Sequence, residues 1–143
     1  MRYLTLAALV LAGACHVTTA VEAKDDSIAG TWTFTVEHLR LKLVLEQHES
    51  AVTGTLDWPH GDPVKLAGVF AGDTLVFSGD SSGGNFSIHI DSTGTRAPDG
   101  TLSGKVKAHF DEYDDAHKIV RIRNQEMPWT AMRGLHDVVH FPR

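Results

Sequence analysis

In 143 residues the chain has one cysteine, Cys15. No internal disulfide can form, so the fold has to stand on core burial alone, which a single domain of this size can supply. An excess of positive charge is also missing. Thirteen Lys and Arg against 18 Asp and Glu give a net charge of -5, and a nucleic-acid partner would call for a basic stripe instead. Proline is scarce, at five residues, and aromatics make up 8%. No compact catalytic or zinc signature is present, so the sequence names no reaction outright. What it does contain is 42% hydrophobic residues and 13 glycines, enough for one core with many turns or bends.

The first 23 residues read as an export signal. Arg2 precedes an apolar stretch from Tyr3 to Ala12 that is too short to span a bilayer, and small residues follow before the polar run Lys24, Asp25, Asp26, Ser27. The mature protein is therefore expected to be exported, to the periplasm, the outer membrane or the medium. Two processing sites compete. Val21-Glu22-Ala23 offers a small-x-small cleavage before Lys24, while Ala12-Gly13-Ala14-Cys15 resembles a bacterial lipobox, with its leucine, Leu11, one place early. In the second case Cys15 is lipidated and anchors the chain to a membrane.

From Ile28 to Arg133 the apolar residues recur with period two, and turn residues fall every eight to twelve positions, the mark of an all-β sandwich or barrel. Trp32, Phe34 and Val36 alternate with threonines, and Leu39, Leu41, Leu43 and Leu45 follow the same rule. Seven further sets end with Val120 and Ile122, then Met127, Trp129, Ala131 and Arg133, making nine candidate strands. The connections are too short for crossover helices, so neighbouring strands should run antiparallel. Glycines at inward positions, such as Gly54, Gly68 and Gly104, suit the sharp coiling of a closed barrel. The expected fold is an antiparallel up-and-down barrel of eight to nine strands over residues 28–133, with a tail at 134–143.

Gly30-Thr31-Trp32 opens the first strand and Trp129-Thr130-Ala131-Met132-Arg133 closes the last. This arrangement resembles the calycin superfamily of lipocalin-like barrels, and in particular small secreted bacterial domains of unknown function with similar Asp-Gly-Thr-Leu-Ser-Gly and Trp-Thr-Ala-x-Arg phrases. The resemblance implies that Trp32 stacks beneath Arg133 at the closed end, so that Gly30, Trp32, Trp129 and Arg133 form a structural signature. Biotin-binding avidins share the Gly-x-Trp opening but need tryptophans on middle strands, and 73–79 and 85–91 have none.

In an up-and-down barrel the connections alternate between ends. The first, third, fifth and seventh therefore share a rim, which gathers His38, Asp57, His60, Asp62, Asp80, the run Asp111 to Asp115, and His117. Small barrels bind at such mouths. His38, His60, Asp62 and His117 are the candidate metal ligands, for Zn2+ or, through the acidic run, Ca2+, although that run lacks the Gly and Glu spacing of an EF-hand. Lys105, Lys107 and His109, with Arg121 and Arg123 on the next strand, are expected to form an outward basic stripe. His136-Asp137-Val138-Val139-His140 resembles a zinc-protease His-Glu-x-x-His but sits in a tail expected to fray.

Together these features predict an exported, non-enzymatic barrel holding a small apolar molecule in its interior. The alternative is a filled barrel that meets an envelope protein through its rim and outer wall, as an interaction or inhibitor module. A metal-binding rim is a further alternative, and no nucleic-acid partner is expected.

Overall fold

The computed structural model describes residues 26–59 and 61–141, and none of them is helical. Eight strands follow in chain order: β1 Gly30–Val36, β2 Leu39–His48, β3 Ala51–Leu56, β4 Val64–Ala71, β5 Thr74–Gly83, β6 Phe86–Arg96, β7 Leu102–Tyr113 and β8 Ile119–Arg133. Each pairs antiparallel with the next, and β8 returns to β1, so the sheet closes into an up-and-down barrel. The antiparallel up-and-down barrel expected from the strand pattern is present, with eight strands. The eighth and ninth apolar sets are one strand, because Gln125 and Glu126, which the sequence offers as a connection, stay in register opposite Ala108 and Lys107.

Alternation places the core side chains on one face of the strands, except in the first part of β8, which is exposed. Trp32, Phe34 and Val36 of β1, Leu41, Leu43 and Leu45 of β2, and Leu75 and Phe77 of β5 are buried in one core with Leu102, Val106, Phe110 and Trp129. Trp129 sits in its middle, stacked on Phe34 at 5.0 Å and edge-on to Phe77 at 6.0 Å. Its seat is made by glycine. Gly94 and Gly104 face each other across β6 and β7, and Gly104 lies opposite Trp129 on β8. A Cβ on Gly94 would come within 2.5 Å of the indole, so the inward glycines make room for the largest side chain of the core.

One end of the barrel is sealed. The Arg133 guanidinium lies 4.5 Å above the Trp32 ring. It also donates hydrogen bonds to the carbonyls of Ala29 (2.7 Å) and Ser27 (2.6 Å), bending the segment before β1 across the barrel. That segment drops Ile28 into the core with no exposure, and its carbonyl accepts the Trp32 indole N–H at 2.9 Å. Beside it Arg96 covers Phe70 at 5.0 Å and pairs with Asp73 at 2.9 Å.

The tail does not fray. Thr33 donates its hydroxyl to the Gly134 carbonyl and accepts the His136 amide, the Val139 amide reaches the Arg40 carbonyl, and Arg40 pairs with Asp137 at 3.1 Å. The chain after β8 thus runs back along the outside of β1 and β2, tied at three points, and Phe141 packs against the core. Thr33 explains why: it is the buried polar residue on the outer side of β1, and the tail satisfies its hydroxyl.

Candidate functional site

The opposite end is built from four turns: Glu37 and His38 after β1, residues 57–59 and 61–63 after β3, Gly84 and Asn85 after β5, and 114–118 after β7. Turn parity places them together, as the alternation rule requires. Two features set this end apart, a small apolar void under the rim and a strand that outruns its neighbour.

The void lies between Phe34, Val36, Leu41, Trp58, Phe110 and Met127, with no polar surface on its walls. Its volume is about 30 Å³, room for a methyl group or one water. Trp58 and Phe86 close over it, stacking and tilting against Phe110 at 5.8 and 5.6 Å. The tryptophans of the described core are Trp32, Trp58 and Trp129, and the inward positions of β5 and β6 carry Leu75, Phe77, Ile88 and Ile90.

β1 pairs with β8 only from Trp32 opposite Arg133 to Val36 opposite Trp129. The chain then turns into β2, while β8 extends from Pro128 back to Ile119 with β7 as its partner on one side. Among the described residues no strand pairs with the other edge of β8 along this stretch. It stands free at the rim, with Ile119, Val120 and Ile122 exposed by 51, 62 and 55%.

The register here corrects the expected basic stripe. Residues opposite each other in an antiparallel pair share a face. Arg123 lies opposite buried Phe110 and Arg121 opposite Glu112, so both arginines project on the barrel's inner side. Lys105, Lys107 and His109 project on the outer side, and the stripe is split between two faces. Arg123 stacks 4.9 Å above the Phe110 ring, and Arg121 pairs with Glu112 at 3.1 Å. Ile122, opposite Asp111, takes the outer side, and Val120 is the exposed residue at a register shift between Arg121 and Ile119.

Of the proposed metal ligands, His38 and Asp62 are exposed in their turns, and Asp62 accepts the Ser81 hydroxyl through its backbone carbonyl. His117 is exposed with φ of 60°, in a turn shaped by Asp114, whose carboxylate accepts the amides of Ala116 and Lys118. His60 and Cys15 lie outside the described residues. Among the described residues no three His, Cys, Asp or Glu side chains are grouped to hold a metal ion.

A polar cluster that sequence reasoning passed over lies on the outer wall of β5 to β8. His89 is clamped between Asp80 at 2.6 Å and Asp91 at 3.1 Å. Directly across β6 and β7 from it, His109 pairs with Asp111 at 3.1 Å and bonds Asn124 at 2.7 Å. The hydrogen bond that His89 donates to Asp80, helped by the charges of both carboxylates, raises the His89 pKa above its usual 6.5 against a lesser opposing effect of burial. Hairpin arithmetic carries the signal: Asp80, His89, His109 and Asn124 form one row across four strands.

No protein-family model matches the chain, and no curated protein matches it in sequence. Solved structures of similar fold include rhizavidin in complex with biotin, 11% identical with a TM-score of 0.49 over 80% of this chain and 99% of that one. Another is apo afifavidin, 12% identical with a TM-score of 0.49 over 78% of this chain and 85% of that one.

Proposed function

We propose that the chain is an exported, non-enzymatic binding module that works from the open end of its barrel. The observation that carries this reading is the filled interior. Ligand-carrying cavities are on the order of 300 to 1,000 Å³, whereas the apolar void here is about 30 Å³. A lipid-sized or haem-sized guest has no room, and exposed apolar residues, free backbone groups and unpaired charge collect at the rim. Export is supported by the segment before Lys24, and a lipid on Cys15 would hold the barrel at a membrane. Labelling with a palmitate analogue tests the anchor: a labelled wild type and an unlabelled Cys15→Ser variant support it, and an unlabelled wild type overturns it.

The walls of the void favour a second reading, a small apolar ligand at the mouth. They are wholly apolar, and Met127, a flexible side chain, stands beside the unpaired part of β8. A guest would place one small group in the void and keep the rest at the rim. Native mass spectrometry of protein purified from its own source separates the readings. The bare chain mass supports the filled barrel, and a retained small molecule supports the second.

A further inference from the structure

The unpaired stretch of β8 is an edge strand of a kind that soluble proteins usually blunt. It is long, its Ile119, Val120 and Ile122 are exposed by half or more, and its proline stands only at the end, at position 128. Such an edge presents a row of N–H and C=O groups that a further strand can pair with. β2 outruns β3 only from Leu39 to Lys42 and β5 outruns β4 only from Ser81 to Gly83, whereas β8 is left open from Ile119 to Pro128 because β1 ends at Val36.

Charge selects the occupant. From Ile119 to Met127 the edge carries Arg121 and Arg123 on its inner side and one acidic residue, Glu126, on its outer side. Arg123 has an aromatic ring beneath it, and no carboxylate within ion-pair distance among the described residues. Arg121 meets Glu112 in an ion pair that is 65% exposed on the arginine side, the kind worth little in water and open to a second carboxylate. A second copy of this chain fits poorly. Two-fold antiparallel pairing keeps inner face beside inner face. The registers that bring the Val120 and Ile122 of both copies together, centred on Arg121 or on Ile122, set arginine opposite arginine, and like charges directly opposite are destabilising.

Resting on the open-end reading above, we propose that β8 from Ile119 to Met127 receives an extended segment of a partner protein as an added strand. That segment alternates acidic residues, facing Arg121 and Arg123, with apolar residues, facing Val120 and Ile122. Main-chain hydrogen bonds would supply affinity and the alternating side chains selectivity, as in other strand-addition complexes.

The test uses the full chain and two synthetic nine-residue peptides, one alternating Glu and Val, the other Lys and Val. Fluorescence anisotropy should show the Glu/Val peptide binding at least ~10-fold tighter, and the double variant Arg121→Glu/Arg123→Glu should reverse the preference. Amide exchange should slow across Ile119–Met127 when the Glu/Val peptide is added. Equal binding of the two peptides, no binding of either, or slowed exchange elsewhere overturns the proposal. So does a dimer of the chain alone with β8 amides already protected, which would make a second copy the occupant. A retained interior ligand in native mass spectrometry would instead defeat the open-end reading itself, so the two failures are distinguishable.

Discussion

The two ends of this barrel solve the same problem in opposite ways. At the sealed end Ile28 fills the bore, Trp32 finds an acceptor for its indole N–H, and Arg133 ties the preceding segment down with two hydrogen bonds and a ring contact. At the open end Trp58 and Phe86 close over an apolar void, β1 stops, and β8 continues from Pro128 back to Ile119 with one neighbour. The two ends use the same chemistry. Each has an arginine over an aromatic ring, Arg133 over Trp32 and Arg123 over Phe110, but the first arginine also holds two backbone carbonyls of the segment before β1, while the second has the ring contact alone among the described residues. A contact that stabilises one end is, at the other, a position for binding.

The sharpest way to break that comparison is to truncate the tryptophan at each end. Trp32→Ala should cost about 3 to 5 kcal/mol, because it opens a cavity in a fully closed layer, whereas Trp58→Ala should cost less than half of that. Denaturant unfolding measures both, and equal losses would mean that the rim is as well packed as the plug. Next come the two arginines. Arg133→Ala should lose about 2 kcal/mol, through its two carbonyl contacts and its ring contact. Arg123→Ala, with the ring contact alone, should lose about 0.5 kcal/mol.

Smaller still is the effect of Ile122→Lys on the free edge. It should leave stability within about 0.5 kcal/mol of the parent while weakening strand addition, and a loss above 2 kcal/mol would show that Ile122 is packed after all.

The smallest effect is that of pH on the outer wall. A His whose folded pKa is raised contributes stability that is complete below its unfolded value of 6.5 and is lost as pH rises through the higher folded value. The His89 contacts with Asp80 and Asp91 should therefore weaken on going from pH 6 towards 8, by about 0.5 kcal/mol for an exposed pair. His89→Gln should flatten that part of the stability curve, and an unchanged curve would remove the clamp.

How far the sequence reaches can be seen along β8 itself. From Met127 to Arg133 the apolar residues mark the buried face correctly, because there the inner side is core. From Ile119 to Gln125 the same rule selects Val120 and Ile122 as inward and fails. Beyond the end of the barrel the inner side is no longer the apolar one, so hydrophobicity stops reporting direction and only continuous register, through Gln125 and Glu126, places Arg121 and Arg123. The rim turns were legible because parity needs only a count of hairpins, and merging the last two sets left the parity of the first seven connections unchanged, although Asp80, Asp111 and Glu112, read as rim residues, lie within β5 and β7. The tail was not legible, since what holds it is the hydroxyl of Thr33, whose burial no pattern announces, together with contacts to Arg40 far away in sequence. The row from Asp80 through His89 to His109 was hidden for a similar reason: it joins residues far apart in sequence and becomes visible only once three registers are known.

Residue-resolved amide hydrogen exchange of the full chain tests most directly whether the open end is the exposed, binding-ready half of the molecule. Within β8, amides of Trp129–Arg133 should exchange only through global unfolding, while outer-edge amides from Ile119 to Met127 should exchange orders of magnitude faster, as unpaired groups at a rim do. Uniform protection along the whole of β8 would mean that its edge is already covered, and would contradict the division of this barrel into a sealed end and a receiving one.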